Sequence, residues 1–256
     1  MDGSLSALAL ANRVMIWFFA LFFLAISGGS LSAKEAVILL HGLSRSDSSM
    51  KAVESTLDRE GYYVLNVDYP SRTAEIAHLS ELVIGTALKD CGVLESEKVH
   101  FVTHSLGGIL VRSYFGRYEL ERLGRVVMLG PPNKGSEIVD RIGSWRLFER
   151  INGPAGRELG TSSASTPSLL GPVEFELGVI AGDRSINWIN SLMIKGPDDG
   201  KVSVERAGVE GMKEQIVVHT THPFMMQNEE VLRQVVHFLA RGEFATQEPT
   251  SRSTER

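Results

Sequence analysis

Cysteine is nearly absent. Cys91 is the one thiol in the chain, so an intrachain disulfide is excluded, and so is a metal site of the Cys-x-x-Cys type. Blocks of positive charge are missing as well. The formal net charge is −5 and no Lys/Arg cluster stands out, which removes the electrostatic footprint that a nucleic-acid partner requires. There is no internal repeat. The longest apolar run, Val14 to Ile26 ("VMIWFFALFFLAI"), falls short of the about 20 residues that span a bilayer comfortably.

That run has another use. Arg13 precedes it and the small-residue stretch "SGGSLSA" follows, which is the order of a secretory signal. Residues 1–33 are expected to be a signal peptide, cut after Ser32 or Ala33, with the product exported to the periplasm or secreted. The alternative is an uncleaved anchor through residues 14–26, the route by which the protein would associate with a membrane. At the other end, residues 243–256 are polar and without apolar periodicity, and a disordered tail is expected there.

Between these ends, 256 residues at 43% apolar composition allow one substantial core, read as a single domain over residues 34–242. Six short runs, "AVILL", "YYVLNV", "VHFVT", "VVML", "LGVIA" and "QIVV", are nearly continuous in apolar residues and bounded by Gly, Pro or polar residues, as buried strands are. Helical spacing separates them. Met50, Val53 and Leu57 share one face, and Ile76, Leu79, Val83 and Ala87 share another. In the last helix Asn228 is the cap candidate, Glu229 and Glu230 lie in the first turn, Val231, Val235, Phe238 and Leu239 form the stripe, and Gly242 follows. The alternation implies an α/β fold, a mostly parallel sheet of about six strands with helices on both faces. Residues 131–176 hold an amphipathic helix with Ile138, Ile142 and Trp145 on one face, followed by a Gly/Ser/Thr/Pro-rich stretch from Asn152 to Pro172 that reads as a long irregular connection. The segment is read as a small acyl-binding cap or as plain cover for the sheet.

The stretch "FVTHSLGGILVR" places Ser105 where a strand turns sharply into a helix. At the carboxyl edge of a parallel sheet such a turn presents a hydroxyl to the ligand crevice, and the helix N-terminus aims N–H groups at the same spot. The turn favours small residues two before and two after the serine. Gly107 meets the second requirement, whereas Thr103 stands where glycine is common in the first. By itself Ser105 could equally be a helix cap. Upstream, a strand runs into His41-Gly42-Leu43, so the backbone N–H groups of Leu43 and Leu106 are candidate donors to a developing oxyanion. His41 is read as bracing that loop and His104 as a packing residue.

A nucleophilic serine needs a base, and the base needs an orienting acid. "VVHTTHPFMM" offers His219 and His222 beyond the last strand, and the second is favoured because it lies deeper in the loop. With no third ligand cluster, the two do not make a metal site. For the acid, Asp199 in the turn "PDDGKV" is preferred to Asp198, which could cap its own turn, and to Asp183, which could anchor the turn at Gly182.

Taken together, "VILLHGL", "VTHSLGG", "LGPPNKGSEIVD", "GVIAGDRSIN", "DGKVSVE" and "THPFMM" resemble the bacterial α/β-hydrolase family that includes lipase-like esterases, over roughly Ala36 to Arg241. The resemblance implies a Ser105–Asp199–His222 triad, oxyanion donors at Leu43 and Leu106, and hydrolysis of small-molecule or lipid carboxylic esters without a cofactor. An acyltransferase or thioesterase with the same triad is the alternative activity. A non-catalytic binding protein on the same fold is the other class, and the complete set of serine, acid, base and donors argues against it.

Overall fold

The computed structural model describes residues 35–246. The expected signal or anchor and most of the expected tail lie outside the described residues. In chain order the elements are β1 (Ala36–Leu40), α1 (Lys51–Arg59), β2 (Tyr63–Val67), α2 (Ile76–Ala87), α3 (Cys91–Leu94), β3 (Val99–His104), α4 (Leu106–Phe115), β4 (Leu123–Leu129), α5 (Glu137–Ile142), α6 (Arg146–Arg157), α7 (Thr166–Leu169), β5 (Leu177–Gly182), α8 (Trp188–Ser191), α9 (Val204–Ala207), β6 (Glu214–Val218) and α10 (Glu229–Arg241). The strands form one sheet in the order β2-β1-β3-β4-β5-β6, with every pairing parallel.

Why these runs are continuous in apolar residues is visible in the packing. Alternate residues of each strand enter opposite cores. Ile38, Phe101, Met128 and Val179 face α2 and α4, while Val37, Leu39, Val102, Val127 and Ile180 face α1 and α10. Each large side chain so buried contributes about 1.5–3 kcal/mol. The helical stripes close the layers: Met50, Val53 and Leu57 on one side, Ile76, Leu79, Val83 and Ala87 on the other. Asn228 caps α10 by accepting from the Val231 N–H, and Gly242 ends that helix in the left-handed conformation (φ 76°). The chain stays packed beyond this point. Phe244 is buried with its ring centroid 4.7 Å from that of Phe238, and the Ala245 N–H and C=O both bond the Gln234 amide. The ordered fold therefore runs past the residue 243 boundary expected for the tail.

Register aligns the carboxyl ends. Leu40 pairs with Thr103, Thr103 with Met128 and His104 with Leu129, so the loops after β1, β3 and β4 leave the sheet side by side. The strand order reverses between β1 and β3, where open parallel sheets form their ligand crevice. Among the described residues no helix is long and apolar enough to cross a membrane.

The stretch from Asn152 to Pro172 is more regular than its composition suggests, since it carries the end of α6 and all of α7. The single helical face expected through Ile138, Ile142 and Trp145 does not form. Gly143 and Ser144 interrupt it, and Trp145 becomes the residue before α6, 60% exposed. Within α6 the helix breaks at Gly153 (φ 65°, ψ −170°), just ahead of Pro154. The whole segment is tied to α4 by Arg112. The guanidinium is buried and donates from Nη1 to Asn133 O (2.8 Å) and Oδ1 (3.2 Å), and from Nη2 to Gly171 O (2.6 Å) and Pro167 O (3.2 Å). Burial lowers its pKa to about 10.

Candidate active site

Ser105 stands between β3 and α4 at φ 52°, ψ −117°, a backbone conformation that non-glycine residues rarely adopt. It is held there by its N–H, which donates to Leu129 O at 2.9 Å, and by the close approach of α4 to β1. A Cβ at Gly107 would lie 2.6 Å from Leu40 O, so the first turn of α4 tolerates no side chain at that position. Thr103, in the place where glycine is common, is fully buried inside the sheet. The preference for a small residue is met without glycine.

Two backbone N–H groups remain open beside the serine. Among the described residues neither Leu106 N–H nor Leu43 N–H donates a hydrogen bond. Leu106 opens α4, where the first N–H groups have no intrahelical acceptor. The loop that carries Leu43 is braced from several sides. The His41 ring stacks on Tyr69 with centroids 4.1 Å apart, Tyr69 Oη donates to His41 O at 2.6 Å, and Ser44 Oγ donates to Ile151 O at 3.0 Å. Burial keeps the His41 pKa below its usual value, in line with a bracing role.

His222 and Asp199 meet on the other side. His222 Nδ1 is 2.7 Å from Asp199 Oδ2, both side chains are buried, and the second carboxylate oxygen, Oδ1, accepts from Lys201 N and Val202 N at 2.9 Å each. With Oδ1 committed to backbone donors, Oδ2 is left to accept from Nδ1–H, which puts the free lone pair of the ring on Nε2. The backbone repeats the clamp, since His222 N donates to Asp199 O at 2.9 Å. Gly130 (φ 54°), at the end of β4, gives the pair room, because a Cβ there would sit 2.9 Å from Asp199 Oδ2.

The other candidates fall elsewhere. Asp198 Oδ1 accepts from Gly200 N at 2.7 Å and so caps its own turn. His219 and Asp183 form a second His–Asp pair at 2.9 Å, but the His219 side chain is 74% exposed and neither residue reaches the cavity around Ser105. His104 was legible as a buried residue but not as a support. Its Nε2 lies 3.0 Å from His222 O, so Nε2–H donates, Nδ1 is left bare and unpartnered, and the ring packs 4.6 Å from that of His222. Burial first, and then the neighbouring His222, hold its pKa well below the usual histidine value.

Ser105, His222, Asp199 and Leu43 all line one cavity of about 500 Å³, with walls supplied by Ile138, Val139, Phe148, Ile151, Leu159 and Ile186. Ser105 Oγ makes no hydrogen bond among the described residues. The serine–histidine contact in such sites often tightens only when substrate is in place. Among the described residues no cluster of His, Cys, Asp and Glu could hold a metal ion. Two charged residues that the sequence did not single out, Arg45 and Lys201, also line the cavity.

No protein-family model matches the chain, and no curated protein matches its sequence. Solved structures do. Lipase BlEst2 of Bacillus licheniformis in its propeptide form superposes with a TM-score of 0.68 at 19% identity, over 85% of this chain and 52% of that one. The mature form gives 0.62 at 19% identity, over 80% and 89%. A thermophilic esterase from Thermogutta terrifontis gives 0.56 at 15% identity, over 81% and 90%. The chain thus spans about half the length of the propeptide form. With six parallel strands in this order and these superpositions, the chain has the α/β-hydrolase fold.

Proposed function

We propose that the protein is a serine hydrolase of carboxylic esters, acting through an acyl-enzyme on Ser105. The observation that carries the reading is that a strained serine, the undonated N–H of Leu43 and a buried His–Asp pair meet at one cavity, with the undonated N–H of Leu106 next in chain to the serine. His222 Nε2 takes the proton of Ser105 as Oγ attacks the ester carbonyl. Leu43 and Leu106 N–H receive the oxyanion, and Asp199 fixes the tautomer and stabilises the imidazolium that forms. The protonated ring then gives its proton to the leaving alcohol, and water activated by the same ring resolves the acyl-enzyme. The apolar walls suit an acyl chain. That lipases and esterases share the fold supports the choice of ester over other acyl substrates by analogy. On the sequence alone, residues 1–33 direct export or anchor the chain.

A fluorophosphonate probe should label Ser105, and Ser105→Ala and His222→Ala should each remove nearly all turnover of 4-nitrophenyl esters. Label elsewhere, or activity kept by Ser105→Ala, would sink the assignment. Product analysis with added alcohol or thiol separates hydrolysis from acyl transfer.

A further inference from the structure

We propose that the ester taken by this site carries an anionic group, a carboxylate or a phosphate, close to the scissile bond, and that Arg45 and Lys201 bind it. The inference rests on the hydrolase reading above and adds a substrate class to it. Arg45 lies two residues past Leu43 on the loop that offers one oxyanion donor, and Lys201 lies two past Asp199 on the turn that holds the acid; both line the cavity that contains Ser105. The only carboxylate among the cavity-lining residues is Asp199, and it is 1% exposed with both oxygens engaged by His222 and by backbone N–H groups.

Neither cation is neutralised within the protein. Among the described residues no carboxylate lies within ion-pair distance of either. The Arg45 guanidinium has a single long contact, Nη2 to Pro223 O at 3.5 Å, and Lys201 Nζ donates to nothing. In a chain whose net charge is −5, two unpaired cations on the cavity that holds the serine are a local reversal of sign. Both residues are exposed, so an incoming anion can reach them from solvent. Burial pushes the Lys201 ammonium below the usual lysine range; attraction to Asp199 opposes this and repulsion from Arg45 adds to it. Burial lowers Arg45 too. Two unpaired cations on one cavity wall repel each other, an anion that bridges them relieves that repulsion, and a planar guanidinium with an ammonium suits either carboxylate or phosphate oxygens. A neutral ester would leave the pair uncompensated.

Matched substrates test this. The neutral 4-nitrophenyl methyl glutarate is compared with 4-nitrophenyl hydrogen glutarate, and a monoacylglycerol with its 3-phosphate. The charged member of at least one pair should have the higher kcat/KM by about tenfold or more, the preference should fall as salt is raised, and the pair that shows it names the anion. Arg45→Gln and Lys201→Gln should each lower the charged-to-neutral ratio by about tenfold, while Arg45→Lys and Lys201→Arg keep most of it. Turnover of the neutral esters with a ratio near one in both pairs, or a ratio unmoved by the glutamine variants, overturns this inference and leaves the hydrolase reading standing. If no ester is turned over and Ser105 is not labelled, the hydrolase reading fails, and calorimetry with glutarate and with inorganic phosphate then decides the anion site alone. Binding that Arg45→Gln and Lys201→Gln weaken supports the site, and absence of binding removes it.

Discussion

Replacing Asp199 by asparagine separates the role of a carboxylate from that of a hydrogen-bonded turn. Asp199 Oδ1 already accepts from Lys201 N and Val202 N, so the asparagine oxygen has to stay there. Its NH₂ group then faces His222 Nδ1, across the 2.7 Å that separated ring and carboxylate. A donor in that place forces Nδ1 to accept, so the ring carries its proton on Nε2 and has no lone pair for Ser105. Restoring the working tautomer means flipping the amide, which turns NH₂ toward two buried backbone donors and leaves them unsatisfied at about 1–3 kcal/mol each. The sum, about 2–6 kcal/mol, corresponds to roughly 30- to 3 × 10⁴-fold in kcat, before the lost attraction between carboxylate and imidazolium is added. The same fold should persist, because both turn bonds survive. Asp183→Asn is the internal control: its histidine is exposed, water can replace the lost partner, and less than about a twofold change is expected. Steady-state kinetics on a 4-nitrophenyl ester, with circular dichroism to establish folding, decide the matter. A folded Asp199→Asn enzyme that kept more than about a tenth of wild-type kcat, or a larger loss in Asp183→Asn, would refute the assignment of acid and base.

Ser105→Gly should raise stability by about 1 kcal/mol, or roughly 2–4 °C in Tm, because glycine relieves the positive φ while activity disappears; an unchanged or lower Tm would mean that the turn is not strained. Phe148→Ala and Ile151→Ala should shift the preferred acyl chain length, whereas Trp145→Ala should not, and the chain-length profile of 4-nitrophenyl esters reads the difference. Stability should fall as pH drops from about 7 toward 5. Unfolded histidines take up a proton near pH 6.5, but the buried His104 ring stays neutral well below that, so acid favours the unfolded chain. This one ring accounts for at most about 1.4 kcal/mol per pH unit, and urea titrations of His104→Asn at pH 7.5 and 5.5 should show a correspondingly flatter dependence than wild type. Equal slopes would exclude His104 as a source of the acid sensitivity.

The strands were readable because burial on both faces leaves no polar alternation, and the six runs found on that ground are the six strands of the sheet. Helical faces were readable where a long stripe meets a core, as in α2 and α10. Over residues 131–176 the reading weakened because short helices are set by their breaks more than by their stripe, so the Gly143-Ser144 interruption turned Trp145 outward. Ser105, Asp199 and His222 stand out by the turns that carry them, and the structure brings them to one cavity. What distinguishes the His222–Asp199 pair at 2.7 Å from the His219–Asp183 pair at 2.9 Å is chiefly burial, which no local pattern encodes. Arg45 and Lys201 were invisible for a related reason: nothing local shows that two exposed loop charges, far apart in sequence, line one cavity.

Arg112 also bears on how the site opens. Its guanidinium joins α4, the helix that begins beside Ser105, to the carbonyls of residues 133, 167 and 171 through four hydrogen bonds. Bonds to a charged group are worth about 1.5–3 kcal/mol each, and peeling the segment away would strand the cation. Residues 131–171 should therefore have no low-energy open state of their own. In hydrogen exchange they would be protected together with α4 as one cooperative unit instead of fraying as a loop. Breathing at the entrance falls instead to α8, which has no buried residue and whose neighbours Ile186 and Asn187 also line the cavity. The two walls of the cavity would then differ in kind, one a fixed reference surface and the other a yielding one.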